Sequence, residues 1–231
     1  MCGRKTLTKD KKSIIEELKI TEWDETINYI PSYNIAPTQK SLVVLGKNNR
    51  RQIKSMNWGL IPSWSKNKKI GGKLINAKSE TVHEKPSFKY LIKSNRCIIV
   101  SDGYYEWNTI KSKKQPYYIY DNQKTILPMA GLWSSWSLND KEIILSYTII
   151  TKKADANISH IHKRMPLIID SYHINDWLNN DSIIQLNSNS ELIRKDQLNF
   201  HKVNSVVNSY TNNDQTCIRP INNIDNPTLF K

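Results

Sequence analysis

Arg96-Cys97-Ile98-Ile99-Val100 runs directly into Ser101-Asp102-Gly103-Tyr104-Tyr105-Glu106-Trp107. The three β-branched residues in a row read as a buried strand. The second half sets a carboxylate between aromatic side chains. Desolvation at such a position raises the pKa of a carboxyl and suits it to proton transfer. The plainer reading, a solvated Glu106 in an alternating strand, gives it no chemical part.

Outward from this pair the chain reads as mostly short strands. Residues 42–45, 53–60, 74–81, 116–120, 126–133 and 142–151 fit strands by their β-branched and aromatic content, and 198–207 alternates as a closing strand. Helices are predicted over 8–19 (with Thr8 as cap and Ile14, Ile15 and Leu18 on one face), from Pro86 through Ile92, over 155–160 and over 172–178. Loops are expected at 33–38, at Asn49-Arg50, at Gly71-Gly72, at the basic 111–114 hairpin and in the Asn-rich stretches 179–189 and 222–226. There is no internal repeat and no clear linker.

A chain of 231 residues is one large domain or two small ones. It carries 34 Lys+Arg against 21 Asp+Glu, a net charge of +13, which points to a polyanionic partner and to nucleic acid before membrane. The charge is unevenly placed. No acidic residue lies between Glu25 and Glu80, while ten basic ones do, among them Lys66, Lys68, Lys69 and Lys78. That interval is expected to form a phosphate-binding surface. Trp64 sits beside the three lysines, past Pro62, where a tryptophan can stack on an unpaired base for ~1–3 kcal/mol. Trp58, before the proline, reads as core. No signal peptide and no bilayer-length apolar run is present. Cys2, Cys97 and Cys217 are odd in number and widely spaced, which fits a reducing compartment and no disulfide framework.

The chain opens Met1-Cys2-Gly3-Arg4. Aminopeptidases remove a methionine that precedes a small residue, so the mature chain is expected to begin at Cys2. An N-terminal cysteine holds an amine and a thiol on adjacent carbons. The α-amine titrates near 8, against about 10.4 for lysine, so part of it is free base at neutral pH. It can attack an aldehyde to give an imine, and the thiol can close a thiazolidine on the imine carbon. Further along, His160 and His162 stand at i and i+2. A zinc half-site of that form lacks its remaining ligands, and an acid/base role for one of the two is the better reading.

Taken together, the motifs resemble the SRAP family (SOS response-associated peptidase, abasic-site processing). They are Cys2-Gly3-Arg4, Asn34-Ile35-Ala36-Pro37-Thr38, Trp58-Gly59-Leu60-Ile61-Pro62-Ser63-Trp64, Asn76-Ala77-Lys78-Ser79-Glu80-Thr81, Gly103-Tyr104-Tyr105-Glu106-Trp107, Ala130-Gly131-Leu132-Trp133 and Ile161-His162-Lys163-Arg164-Met165-Pro166. Each is weak alone; their order behind an N-terminal cysteine is specific, and the match spans residue 2 to about 220. The resemblance implies a single compact α+β domain around a barrel-like mixed, mainly antiparallel β-sheet with short peripheral helices. It implies covalent crosslinking to abasic sites in single-stranded DNA by a monomer without cofactor or metal, in the cytoplasm of a bacterium or the nucleus of a eukaryote. Carried over, Cys2 is the nucleophile, Asn76 holds the opened sugar, Glu106 is the acid/base, and His162 assists ring opening. Thr151 is a further active-site contact, Arg4 and Lys78 meet phosphates, and Pro37 and Trp64 stack on the flanking bases. Lys78 departs from the arginine more usual in the family, which removes a bidentate fork. Weak lyase and self-processing peptidase activity are implied as side paths.

Two other classes compete. An N-terminal-nucleophile amidohydrolase shares Cys2, Asn76 and His162 but leaves the acid-free interval unexplained. A non-catalytic single-strand-binding module explains the charge but not the N-terminal cysteine.

Overall fold

The structure is a computed structural model and describes residues 2–47, 50–110, 112–138, 142–179, 186, 190–194 and 198–221. The strands in chain order are β1 (Lys5–Leu7), β2 (Glu22–Trp23), β3 (Ser32–Ile35), β4 (Lys40–Lys47), β5 (Arg50–Trp58), β6 (Asn76–Lys78) and β7 (Arg96–Ile99). They continue with β8 (Gly103–Ile110), β9 (Lys113–Tyr120), β10 (Met129–Leu138), β11 (Glu142–Lys153), β12 (Arg164–Pro166) and β13 (Asn199–Lys202). The helices are short: α1 (Lys11–Leu18), α2 (Leu91–Ser94) and α3 (Ile174–Asn179).

Two β layers share one core. In the first, β11, β10, β7, β4 and β5 pair in turn, and a parallel contact of β11 with β5 at Ser146↔Asn57 and Tyr147↔Trp58 closes the ring into a five-stranded mixed barrel. The second is an antiparallel sheet in the order β13-β9-β8-β1-β3. This α+β domain agrees with the expected fold class. All four residues of β7 are buried, as its β-branched run requires. Its Arg96 is tolerated there because the guanidinium donates to the carbonyls of Trp177 and Ile92. Trp58 is fully buried and stacks on Tyr147.

Strand β11 is the hub. Its first half lies between β10 and β5, and its second half lies between β12 and β6. The parallel pairing Ile149↔Asn76 delivers the start of β6 to the same end of the molecule as the amino terminus. Strand β1 is interior to its own sheet, held between β3 and β8, so the residues preceding it enter the core.

Several local expectations are corrected. Helix α1 is capped by Asp10, whose carboxylate accepts from Ser13 N–H, and not by Thr8. Thr8 instead donates through its N–H and hydroxyl to Asp102. Residues 33–35 of the expected 33–38 loop are strand, the end of β3. Gly71-Gly72 lie in a 3-10 helix, Lys68–Lys73. The helix expected from Pro86 is a series of turns until α2, and 155–160 forms turns only. The closing strand stops at Lys202 and gives way to a 3-10 helix, Ser205–Asn208. Asn49, Lys111, most of the 179–189 stretch and all of 222–226 lie outside the described residues. Among the described residues no helix is long and apolar enough to cross a membrane.

Candidate active site

Cys2 sits just ahead of β1 and is fully buried. Its carbonyl accepts from Asn76 Nδ2 at 2.8 Å, at the start of β6. Its thiol lies 3.9 Å from the Arg4 carbonyl. Burial pushes the thiol up to about 12, with the Glu106 charge adding to the effect. Strand β8 runs alongside, with Tyr105 N–H donating to Arg4 O at 3.0 Å. Alternation along β8 then turns Tyr104 and Glu106 inward and Tyr105 and Trp107 to the other face. Glu106 is only 3 % exposed, and burial pushes its carboxyl up to about 7. The desolvation read from its aromatic neighbours is therefore present, although the burial comes from the sheet's inner face.

His162 closes the group. Its Nδ1 stands 3.8 Å from Glu106 Oε1 and lies against the Arg164 backbone, 3.0 Å from its nitrogen and 3.1 Å from its carbonyl oxygen. Burial lowers its pKa, so the neutral ring prevails at pH 7. The loop carrying it is pinned to β8 by Asn108, whose amide donates to the His160 carbonyl. His160 itself packs its ring on Phe200, 5.2 Å between centroids, and does not share a site with His162. Four side chains from distant parts of the sequence, Cys2, Asn76, Glu106 and His162, thus meet at one place. An open cleft of about 560 Å³, lined by Glu106, Trp107, Thr109, Lys114, His162 and Asn208, gives access to it.

The expected binding residues divide. Pro37 is half-buried in a turn fastened to the end of β5, with Thr38 N–H donating to Trp58 O. The loop bearing Trp64 springs from the same point. Gly59, at φ +128°, and Gly71 lie back to back: a Cβ on Gly59 would come 2.6 Å from Gly71 O, so only glycine closes the loop's neck. Trp136 Nε1 donates to Ser65 O and anchors its tip. Trp64 is 61 % exposed, and Lys66, Lys68, Lys69 and Lys78 are exposed as well. Arg4 is different. Its guanidinium donates to Asn34 Oδ1 and to the carbonyls of Val207 and Asn208, so much of its donor capacity is spent within the fold. Thr151 is fully buried, donates to Ala77 O and accepts from Arg164, and lies under the site and not on its surface.

The acid-free interval is not one surface. On β5, Arg50 pairs with Glu22, Lys54 with Asp24, and the buried Arg51 donates to Leu18 O and Asn175. The cations after residue 60, Lys66, Lys68, Lys69, Lys73 and Lys78, are exposed. Lys114 and Asn208 in the cleft, and Arg164, escaped the sequence reading. Arg164 grips Glu80 at 2.7 and 2.9 Å and ties β12 to the exit of β6. Its place beside His162 in a shared motif was the one available signal; Asn208 had none.

A profile of the family described as SOS response associated peptidase (SRAP) matches residues 1–210. The Bacillus subtilis abasic site processing protein YoqW is 38 % identical over 221 residues, covering 94 % of this chain and 99 % of the relative. The mouse abasic site processing protein HMCES is 32 % identical, over 87 % of this chain and 68 % of its own. A crystal structure of a Bacteroides thetaiotaomicron protein superposes with a TM-score of 0.80 at 24 % identity, covering 95 % of this chain and all of that one.

Proposed function

The chain belongs to the SRAP family, and from that premise we propose that it processes abasic sites in single-stranded DNA by forming a covalent crosslink through Cys2. Once Met1 is removed, the Cys2 amine attacks the ring-opened aldehyde of the abasic sugar. Water leaves the carbinolamine with a proton from Glu106, and the thiol closes onto the imine carbon. Neutral His162 is within reach to assist sugar opening. Asn76 fixes the Cys2 backbone at 2.8 Å and orients the amine. The observation that carries this reading is the burial of Cys2 together with Glu106, whose carboxyl burial pushes up to about 7. If ring closure fails, the imine labilises the neighbouring phosphate, so weak strand cleavage accompanies the main path. Hydrolysis of the amino-terminal residue by Cys2 and Glu106 is a second side path.

The test is incubation of the purified chain with a single-stranded oligonucleotide carrying one abasic site. A species that survives heat and SDS, with intact mass equal to the Met1-free protein plus the oligonucleotide less one water, is expected. Equal yield from protein that retains Met1 would remove the amine from the mechanism.

Binding to the strand before chemistry is expected to be electrostatic. The log of affinity falls with the log of salt by about 0.7 per phosphate neutralised on a single strand. Changing Lys66, Lys68 and Lys69 together to alanine should reduce that slope by roughly 2 and weaken all sequences alike. An unchanged slope would place the loop off the DNA track. Trp64→Ala should weaken binding by ~1–3 kcal/mol without altering the slope.

A further inference from the structure

Among the described residues, Asn76 Oδ1 and the Tyr104 hydroxyl are buried polar atoms with no hydrogen-bond partner. The second is the less expected. Tyr104 is fully buried and packs in the same core cluster as Cys2. It pairs with Lys5 across β1 and β8, and it shares the inward face of β8 with Glu106 two residues on. A buried hydroxyl left unpaired destabilises the fold, and phenylalanine would fill the same space without that cost. Burial first, then the charges of Cys2, Glu106 and Asp155, keep the phenol protonated, so it is a standing donor. Asp155, one acceptor in its vicinity, is already held by Lys152.

The step most in need of a donor is ring closure. The sulfur lone pair forms the S–C bond, the C=N π pair moves to nitrogen, and the thiol proton ends on that nitrogen; nothing is oxidised or reduced. Burial makes the thiolate scarce, and among the described residues the resting thiol's hydrogen bond is a weak one to the Arg4 carbonyl, at 3.9 Å. We propose that the Tyr104 hydroxyl donates a hydrogen bond to the Cys2 sulfur during closure, and so commits the imine to the thiazolidine and away from strand cleavage. This inference rests on the crosslinking function given above.

Tyr104→Phe in the full, Met1-free chain tests it. The readouts are the ratio of cleaved strand to heat-stable adduct, the imine trapped by borohydride, and the thermal midpoint. The ratio is expected to rise ~10-fold, the worth of one hydrogen bond to a charged atom, with imine still trapped and the midpoint equal or higher. A wild-type ratio would overturn the inference. So would a parallel loss of trapped imine and adduct with a lowered midpoint, which would make the ring merely structural. Absence of any adduct from the wild-type chain would instead overturn the crosslinking function, and this inference with it.

Discussion

Glu106→Gln will slow both formation and release of the crosslink by ~10²–10⁴-fold, the usual cost of losing one positioned acid/base group. Affinity for undamaged single strands will stay near wild type, because the side chain is buried beneath the cleft and bears no phosphate contact. Imine formation needs a proton for the departing water, and reopening the thiazolidine retraces the same transfers, so one carboxyl serves both directions. The pH profile carries the same signature. The reactive form has a neutral amine, titrating near 8, and a protonated Glu106. Below about pH 7 the rate climbs as the amine is freed; above about pH 8 it falls as the last protonated Glu106 is lost. The variant keeps the climb and loses the fall. Stability moves the opposite way. Because the folded pKa is raised from 4.5 to about 7, the contribution of the neutral carboxyl to stability is complete below pH 4.5 and lost as pH rises through 7. Glu106→Gln should therefore unfold no more readily than wild type at pH 8. Time courses of adduct formation, followed by a chase with excess unlabelled abasic strand, measure both directions. Wild-type rates in both would pass the role to His162.

Cys2→Ala is expected to abolish the heat-stable adduct altogether, while strand cleavage at the abasic site persists or rises. The α-amine survives the change, so the imine still forms, but no thiol remains to close the ring. Cys2→Ser should behave alike, since an oxygen ring is the weaker trap. Borohydride will convert the lost adduct into a stable amine in both variants. Undiminished heat-stable adduct would point to a lysine. Lys5 is then the first candidate: burial lowers it to about 8, although its ammonium is spent on Val100 O at 2.9 Å.

The sequence made the local pieces of this site legible and hid how they meet. The β-branched run at β7 and the aromatic-flanked Glu106 announced burial, and both are buried. The barrel's closing contact was invisible, because a parallel pairing of Tyr147 with Trp58 leaves no periodicity in either segment. Capping failed at Thr8 for a tertiary reason: Asp102, 94 positions away, competes for its donors. The basic interval was over-read because counting charges along a chain says nothing of Glu22 and Asp24, which lie just outside it and neutralise Arg50 and Lys54 across strands. Asn208 reaches the cleft from a short 3-10 helix whose sequence carries no functional pattern.

The interior position of β1 sets a schedule for making the protein. The amino terminus leaves the ribosome first, yet β8, one of the two strands that flank β1, begins at Gly103. At ~5–20 residues per second, the nascent chain waits roughly 5–20 s before that partner exists. On the proposed mechanism Met1 is trimmed in this interval, before the sheet that buries Cys2 has formed. The yield of crosslink would then follow, on the same mechanism, the fraction of chains trimmed before the sheet closes.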